Sequence, residues 1–349
     1  MRISTTTARG LYTNALIAIY KDRVAPTLFL QSFFKTVEKT TFSLSIAVQR
    51  GTEMIAVDVE RGTDGNRNKF DKSTERILVP PYYSEYFNVN ELEVYDRLFT
   101  DMDIEASVFN DFLEGVAEKV MMLRDKIDRR YELQCAQVLT TGIVTLQSGI
   151  NIDFLRKSDS LVDLGSGNYW NQANVDPVTS ITVAGNFLRT SGLSTGSMLD
   201  IIMGNDVIQP FLNNEAVQNR AKLFSYALDQ INTPQAKSAG ATFHGEISAG
   251  TFRARLWSYN QYYDMPDTGV KTPYLDPKKV IILPENPNFI LGFAAVPQLP
   301  TAGQGIKKGK FVYEDYIDQR KKNHIYEVQS AGVAIPVSID KIWTAKVIS

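Results

Sequence analysis

Residues 101–142 read DMDIEASVFNDFLEGVAEKVMMLRDKIDRRYELQCAQVLTTG, and their periodicity decides how the rest of the chain is parsed. Thr100 and Asp103 stand at capping-box spacing. Asp101, Asp103 and Glu105 fill the first turn, where the helix dipole favours acids. Apolar residues then recur at Ile104, Val108, Phe112, Val116, Val120, Leu123, Ile127, Tyr131, Cys135 and Val138. Steps of four and three keep them on one stripe. Gly115 is tolerated inside the run, and Gly142 supplies the stop. At ~1.5 Å per residue, a helix over Asp101–Thr141 is roughly 55–60 Å long, against an ordinary mean of about 11–12 residues. A coiled coil is the competing reading, but the β-rich flanks favour a packed spine. Cys135 falls on the stripe as a buried filler.

Upstream, Arg9–Arg23 carries helical spacing in Leu11, Ala15, Leu16, Ile19 and Tyr20. Leu28-Phe29-Leu30-Gln31-Ser32-Phe33-Phe34 then places five large apolar groups in one short run, which must be covered by its own core or by a neighbour. Thr40–Phe87 reads as a long β-excursion. Ser43–Val48, Met54–Val59 and Ile77–Val79 are strand-like, and the polar run Glu60–Glu75 with Gly62 and Gly65 lies between the last two. A two-stranded ribbon is at best marginally stable alone, so it needs something to lie on. It either projects onto a neighbour or folds back on its own domain.

Downstream, Ile143–Trp170 is turn-rich and ends in Gly165-Ser166-Gly167. Asp176-Pro177 is an N-cap and first-turn pair for a helix running to Thr190. Leu199–Met203 is a buried-type strand, and Asp206–Leu212 and Glu215–Leu228 are helical. Strand patterns follow at Thr251–Ser258, Val280–Leu283, Asn288–Ala295, Ile325–Val328, Val333–Val337 and Ile339–Val347. Pro336 argues for an edge or a bulge.

The composition narrows the chemistry. The 349 residues are 44% hydrophobic and 22% charged with net charge −2, which excludes a disordered chain and a global basic field for nucleic acid. One cysteine excludes a disulfide framework, and no apolar run approaches the ~18 residues of a membrane span. These features point to a cytosolic, membrane-free chain. His244 and His324 belong to no ligand-spaced motif, so no metal and no cofactor is expected. Gly192-Leu193-Ser194-Thr195-Gly196 matches the hydrolase nucleophile elbow, which needs a strand before the serine and a helix after it. Here the order is reversed, so Ser194 reads as part of a helix-ending turn with Gly192 as C-cap. The glycines 303, 305 and 309 with Lys307, Lys308 and Lys310 match no phosphate-binding spacing and read as a surface loop. No catalytic residue emerges, and the chain is not expected to be an enzyme.

A ribbon, a long spine helix, an inserted α/β module and returning strands occur here in the order that resembles the Hong Kong 97-like capsid fold. More specifically, the chain is similar to the tailed-phage major head protein family typified by phage lambda. Local matches are Leu28–Phe34, Ala136-Gln137-Val138-Leu139-Thr140-Thr141-Gly142, Leu283-Pro284-Glu285-Asn286 and Gln329-Ser330-Ala331. The resemblance implies an α+β fold with an N-terminal arm (1–39) and an extended hairpin loop (40–90). A peripheral domain (91–177 and 320–349) would carry the spine helix 101–141, and 178–319 would form an axial domain. It implies a major capsid protein forming pentamers and hexamers of an icosahedral head around double-stranded DNA, contacted non-specifically. The subunit would reside in the virion, and in host cytoplasm during assembly. Its implied partners are further copies of itself, a separate scaffolding protein, a portal and a decoration protein. The scaffold is expected as a separate chain because only a short arm precedes the core. The ribbon tip, with Arg61, Asp64, Arg67, Lys69 and Lys72, would contact other subunits, and Leu28, Phe29, Phe33 and Phe34 would make arm contacts. Lys69 and Lys72 also stand where some capsids of this fold crosslink, although lambda-type shells rely on a stabilising protein. Two alternatives remain: an encapsulin-type cellular shell, and a serine hydrolase using Ser194.

Overall fold

The computed structural model describes residues 25–48, 74–90, 106–146, 149, 151–172, 174–223, 235–236, 240–301, 304–318 and 323–349. Four strands come first: β1 (Phe34–Glu38), β2 (Leu44–Val48), β3 (Thr74–Leu78) and β4 (Tyr82–Asn90). The helix α1 (Ala106–Thr140) follows, then β5 (Ile143–Thr145), β6 (Asn151–Asp153) and β7 (Leu161–Asp163). Next are α2 (Pro177–Thr190), β8 (Met198–Met203), α3 (Asn205–Asn213) and α4 (Glu215–Leu223). The chain continues through β9 (Gln235–Ala236), β10 (Ala241–Ala249), β11 (Phe252–Tyr259), β12 (Tyr262–Asp264), β13 (Lys271–Pro273) and β14 (Lys279–Pro284). It ends with β15 (Phe289–Phe293), β16 (Val296–Thr301), β17 (Gln304–Lys307), β18 (Val312–Asp318), β19 (Asn323–Pro336) and β20 (Trp343–Lys346). The fold is α+β.

Helix α1 spans 35 residues, about 50 Å at the α-helical rise. The expected first turn, 101–105, lies outside the described residues, as does the predicted helix Arg9–Arg23. Along the apolar stripe, Val116, Val120 and Leu123 are half-buried and Ile127 is buried. Tyr131, Cys135 and Val138 have no exposed surface at all. Gly142, at φ 76°, ends the helix in the left-handed region.

Two compact units divide the chain. One is built on Tyr82–Arg130 and Phe311–Ser330. In it β4 and β18 both pair with β19. Strand β4 alternates cleanly: Tyr82, Ser84 and Tyr86 point out, while Tyr83, Glu85 and Phe87 are half-buried. The inward row meets α1, where Lys126 Nζ lies 2.6 Å from Glu85 and Lys119 Nζ 5.5 Å from the Phe87 ring centre. Phe87 stacks on Tyr326 of β19.

The other unit, Leu28–Pro81 with Tyr131–Lys310 and Ala331–Ser349, is centred on a seven-stranded sheet ordered β7-β20-β14-β8-β11-β10-β9. Strands β8 and β11 run parallel, and β14 is antiparallel to both β8 and β20. Because strand side chains alternate, Leu199, Ile201 and Met203 share a face with Ala254, Leu256, Val280, Ile282, Trp343 and Ala345. That face packs under Val178, Ile181, Ala184 and Leu188 of α2 and Val207 and Phe211 of α3, with Trp170 against Phe211. Asp176 caps α2 as expected, its carboxylate accepting from Val178 N–H at 2.9 Å. The opposite face carries Asp200, Ile202, Ile281 and Thr344 and is covered by the last turns of α1. There Thr344 Oγ1 donates to Leu139 O at 2.8 Å.

A second layer of pairing ties the N-terminal region to late strands. Strand β1 lies parallel to β15, from Phe34↔Phe289 to Glu38↔Phe293, and β15 is antiparallel to Gly332–Pro336 of β19. The patterns at Ile325–Val328 and Val333–Val337 thus belong to one 14-residue strand, with Pro336 at its last position. Residues 339–347 form a 3-10 turn and then β20, which lies between β7 and β14. The predicted lysine-rich loop is instead a hairpin in part, because β16 pairs with β17 through Lys307.

Candidate functional site

The ribbon is present at its root. Strands β2 and β3 pair antiparallel from Leu44↔Leu78 to Val48↔Thr74, a two-stranded sheet among the described residues. Leu44 and Leu78 are buried, and Leu44 Cδ1 lies 2.8 Å from where a side chain on Gly292 would begin. Glycine at 292 is therefore what lets the ribbon root sit down on β15. The other face stays open: Ile77 is 67% and Val79 73% exposed, and nearby in sequence Phe42 is 52% exposed. The tip residues Arg61, Asp64, Arg67, Lys69 and Lys72, with the strand-like Met54–Val59, lie outside the described residues.

The Leu28–Phe34 run is largely covered by its own unit. Phe29 has no exposed surface and stacks on Tyr259 at 5.6 Å, with Trp257 at 5.5 Å and Phe33 edge-on at 5.4 Å. Phe34 packs on Phe289, Phe33 is half-buried, and Leu28 remains 38% exposed. Sequence reading missed what anchors this run. Glu132, fully buried on α1, accepts from Leu30 N–H at 2.8 Å, Gln31 N–H at 3.1 Å and Tyr259 O–H at 2.9 Å. Three donors converge on one carboxylate and fix the short 3-10 turn Leu30–Phe33 against α1 and β11. Burial nevertheless pushes the Glu132 carboxyl up to about 7, against the pull of those donors. One turn further along α1, burial, and secondarily Glu132, raises the Cys135 thiol well above its usual value, so it is an inert filler.

Two further polar centres brace this unit. Asp200 takes both Nε and Nη2 of Arg255, at 2.8 and 2.7 Å, and Trp257 Nε1 at 3.0 Å. Arg156 sends its guanidinium to Leu139 O, Ser160 O, Ile342 O, Ser160 Oγ and Thr344 Oγ1, all within 3.2 Å. It thereby closes the carbonyl end of α1 with a cation, where the dipole wants one. These acceptors are all neutral, and burial pulls the guanidinium down to about 9.

The serine motif has no elbow geometry. Helix α2 precedes Ser194 and β8 follows it, and Ser194 N–H closes the helix end on Leu188 O. The cap differs from expectation: Ser191 is the C-cap, and Leu193, not Gly192, takes the positive φ of 50°. Glycine is required at 192 for closeness, since a Cβ there would sit 2.7 Å from Leu188 O and 2.8 Å from Asp340 O. His244 is engaged with Ser258 Oγ at 2.8 Å. Among the described residues no three His, Cys, Asp or Glu side chains gather as metal ligands. No helix of the described residues is long and apolar enough to cross a membrane.

The described residues thus provide a seven-stranded sheet packed under helices and, in the same unit, the root of a two-stranded ribbon seated on β15. Comparison with known proteins agrees. The capsid protein assigned to a prophage of Escherichia coli CFT073 superposes with TM-score 0.63 at 17% identity, covering 97% of this chain and 99% of that one. The capsid structure of cyanophage P-SCSP1u gives TM-score 0.50 at 10% identity, covering 93% of this chain and 89% of that one. These likenesses are of fold. No curated protein matches the chain. The family model described as phage major capsid protein E matches residues 13–347, nearly the entire sequence. The chain belongs to the phage major capsid protein E family, whose members form the virion shell.

Proposed function

We propose that the chain is the repeating subunit of an icosahedral phage head of the Hong Kong 97-like type, forming pentamers and hexamers around double-stranded DNA. The observation that carries this reading is the ribbon root. One side of the ribbon, with Leu44 and Leu78, is seated on β15, while Ile77 and Val79 on the other side stay open to water, and a neighbouring subunit supplies the missing cover. In this reading 1–39 is the arm, 40–90 the extended loop, 91–177 with 320–349 the peripheral domain and 178–319 the axial domain. The near-neutral net charge of −2 suits an inner wall that must hold packaged DNA and let it go. A scaffolding protein, a portal and a decoration protein complete the assembly, which takes place in host cytoplasm. The role is structural, and no residue is assigned to catalysis.

The test shortens Gly62–Ser73 to a two-residue Asn-Gly turn. The variant is expected to fold with a thermal midpoint close to the parent and to lose closed shells in sedimentation and electron microscopy. Shells of normal stability would show that the ribbon serves its own domain.

A further inference from the structure

Gln31, Glu132 and Lys310 come from three distant parts of one compact unit and meet beneath the N-terminal run. Lys310 Nζ donates to Gln31 Oε1 at 3.2 Å, across 279 residues of chain. The lysine is held at its other end too, since its backbone N–H donates to Glu38 Oε1 of β1 at 3.1 Å. Its Nζ also stands 6.0 Å from the centre of the Tyr131 ring. Gln31 gives Glu132 two hydrogen bonds, one from its backbone N–H at 3.1 Å and one from its side-chain amide. The carboxamide of Gln31 is therefore gripped on both sides, its oxygen by an ammonium and its nitrogen by a carboxylate.

The surroundings favour chemistry between these groups. Gln31 is 8% exposed and Glu132 not at all, among Phe29, Tyr131 and Tyr259, none of them above 1%. Bulk water, which would compete as a nucleophile, is kept from the carboxamide. Lys310 is half-buried, and its charge is felt at the enclosed Cys135 thiol, one turn beyond Glu132. Burial pushes the Glu132 carboxyl up to about 7, so at neutral pH it can both take and give a proton. An amine one bond away from the carbon it would attack, with an acid–base group on the nitrogen that would leave, is the arrangement for amide exchange.

We propose that Lys310 and Gln31 join in an autocatalytic isopeptide bond within one subunit, with Glu132 moving the protons. The Lys310 ammonium gives a proton to the Glu132 carboxylate, and the free amine attacks Gln31 Cδ. Glu132 then protonates the amide nitrogen, the Cδ–Nε2 bond breaks as Nζ–Cδ is completed, and ammonia leaves with the proton that the new amide sheds. The sum is ammonium plus carboxamide giving secondary amide plus ammonium ion, with no oxidant and no cofactor. Each chain reacts once. The bond would lock the N-terminal run to the β17–β18 connection, and it does not depend on the shell reading.

The test is intact mass spectrometry of the denatured full chain, followed by peptide mapping. The parent should be lighter than its sequence by one ammonia, and its digest should contain a branched peptide joining Gln31 to Lys310. Lys310→Arg and Gln31→Leu, which keep the charge and the bulk respectively, should fold and show the unmodified mass. An unmodified parent mass, an ammonia loss that maps to another residue, or one that persists in Lys310→Arg overturns the proposal. The proton carrier is tested by following the crosslinked fraction over time after cell-free synthesis. Glu132→Gln should fold by circular dichroism and crosslink at least tenfold more slowly, and the parent's rate in this variant refutes the role of Glu132. If Glu132→Gln does not fold, Glu132→Asp, which withdraws the carboxylate by one methylene, is held to the same criterion.

Discussion

Replacing Glu132 with alanine tests the anchor of the N-terminal run, and the sign of its pH dependence is the informative quantity. The wild-type carboxyl moves from its ordinary 4.5 to about 7 on folding, with burial as the leading cause. A folded-state pKa above the unfolded one means that the native protein binds the proton more tightly. This contribution is therefore complete below the unfolded pKa and is lost as pH rises to the folded pKa. Each pH unit across that window corresponds to about 1.36 kcal/mol, so about 2–3 kcal/mol of wild-type stability should vanish between pH 5 and pH 8 through this group. The alanine variant lacks the group and leaves the buried N–H groups of Leu30 and Gln31 without their acceptor. Each such orphan costs about 1–3 kcal/mol at either pH. Wild type and variant are compared by urea unfolding at pH 5 and pH 8, where every other titration cancels in the difference. The penalty should be larger at pH 5 by about 2–3 kcal/mol. A penalty equal at both pH values, or larger at pH 8, would refute the claim that burial outweighs the three donors.

Three other outcomes follow from the packing. Gly192→Ala drives a methyl into two backbone carbonyls and should cost about 1–3 kcal/mol, visible as a lower thermal midpoint, while Gly196→Ala, with nothing within 4 Å, should be silent. Asp200→Ala removes the acceptor of the Arg255 guanidinium and the Trp257 indole N–H and leaves Arg255 its longer contact with Glu285 at 3.5 Å, so a loss of about 1–3 kcal/mol and a shifted tryptophan emission maximum are expected. Val138→Asp, on the fully buried stripe, should prevent folding by circular dichroism, whereas Leu161→Asp, 41% exposed, should stay within about 0.5 kcal/mol of the parent.

The parts of the fold that local physics dictates could be read from the sequence. The stripe from Val116 to Val138 follows from helical geometry alone, and Asp176-Pro177 starts α2 because cap and first-turn chemistry need no distant partner. The misses have definite causes. Strand β10 escaped notice because the register slips at Phe243/Gly245, with Gly245 at φ 120°, and the slip breaks the period-two alternation. Strand β19 looked like two strands because Gly332 interrupts its apolar pattern. Glycine is there because a Cβ would come 2.6 Å from the Phe293 ring. Glu132 resembled any solvated helix glutamate, since its partners lie about a hundred residues away in either direction.

The parallel pairing of β1 with β15 also sets an order in time. Phe34 leaves the ribosome roughly 250 residues before Phe289, which at about 5–20 residues per second is an interval of some tens of seconds. Until then β1 has no strand to join, and Gly292, the floor under Leu44, has not been synthesised. The ribbon root is therefore seated only on a nearly finished chain. A nascent or truncated polypeptide lacks the strand on which the ribbon root is seated, so this part of the fold forms only when the chain is nearly complete.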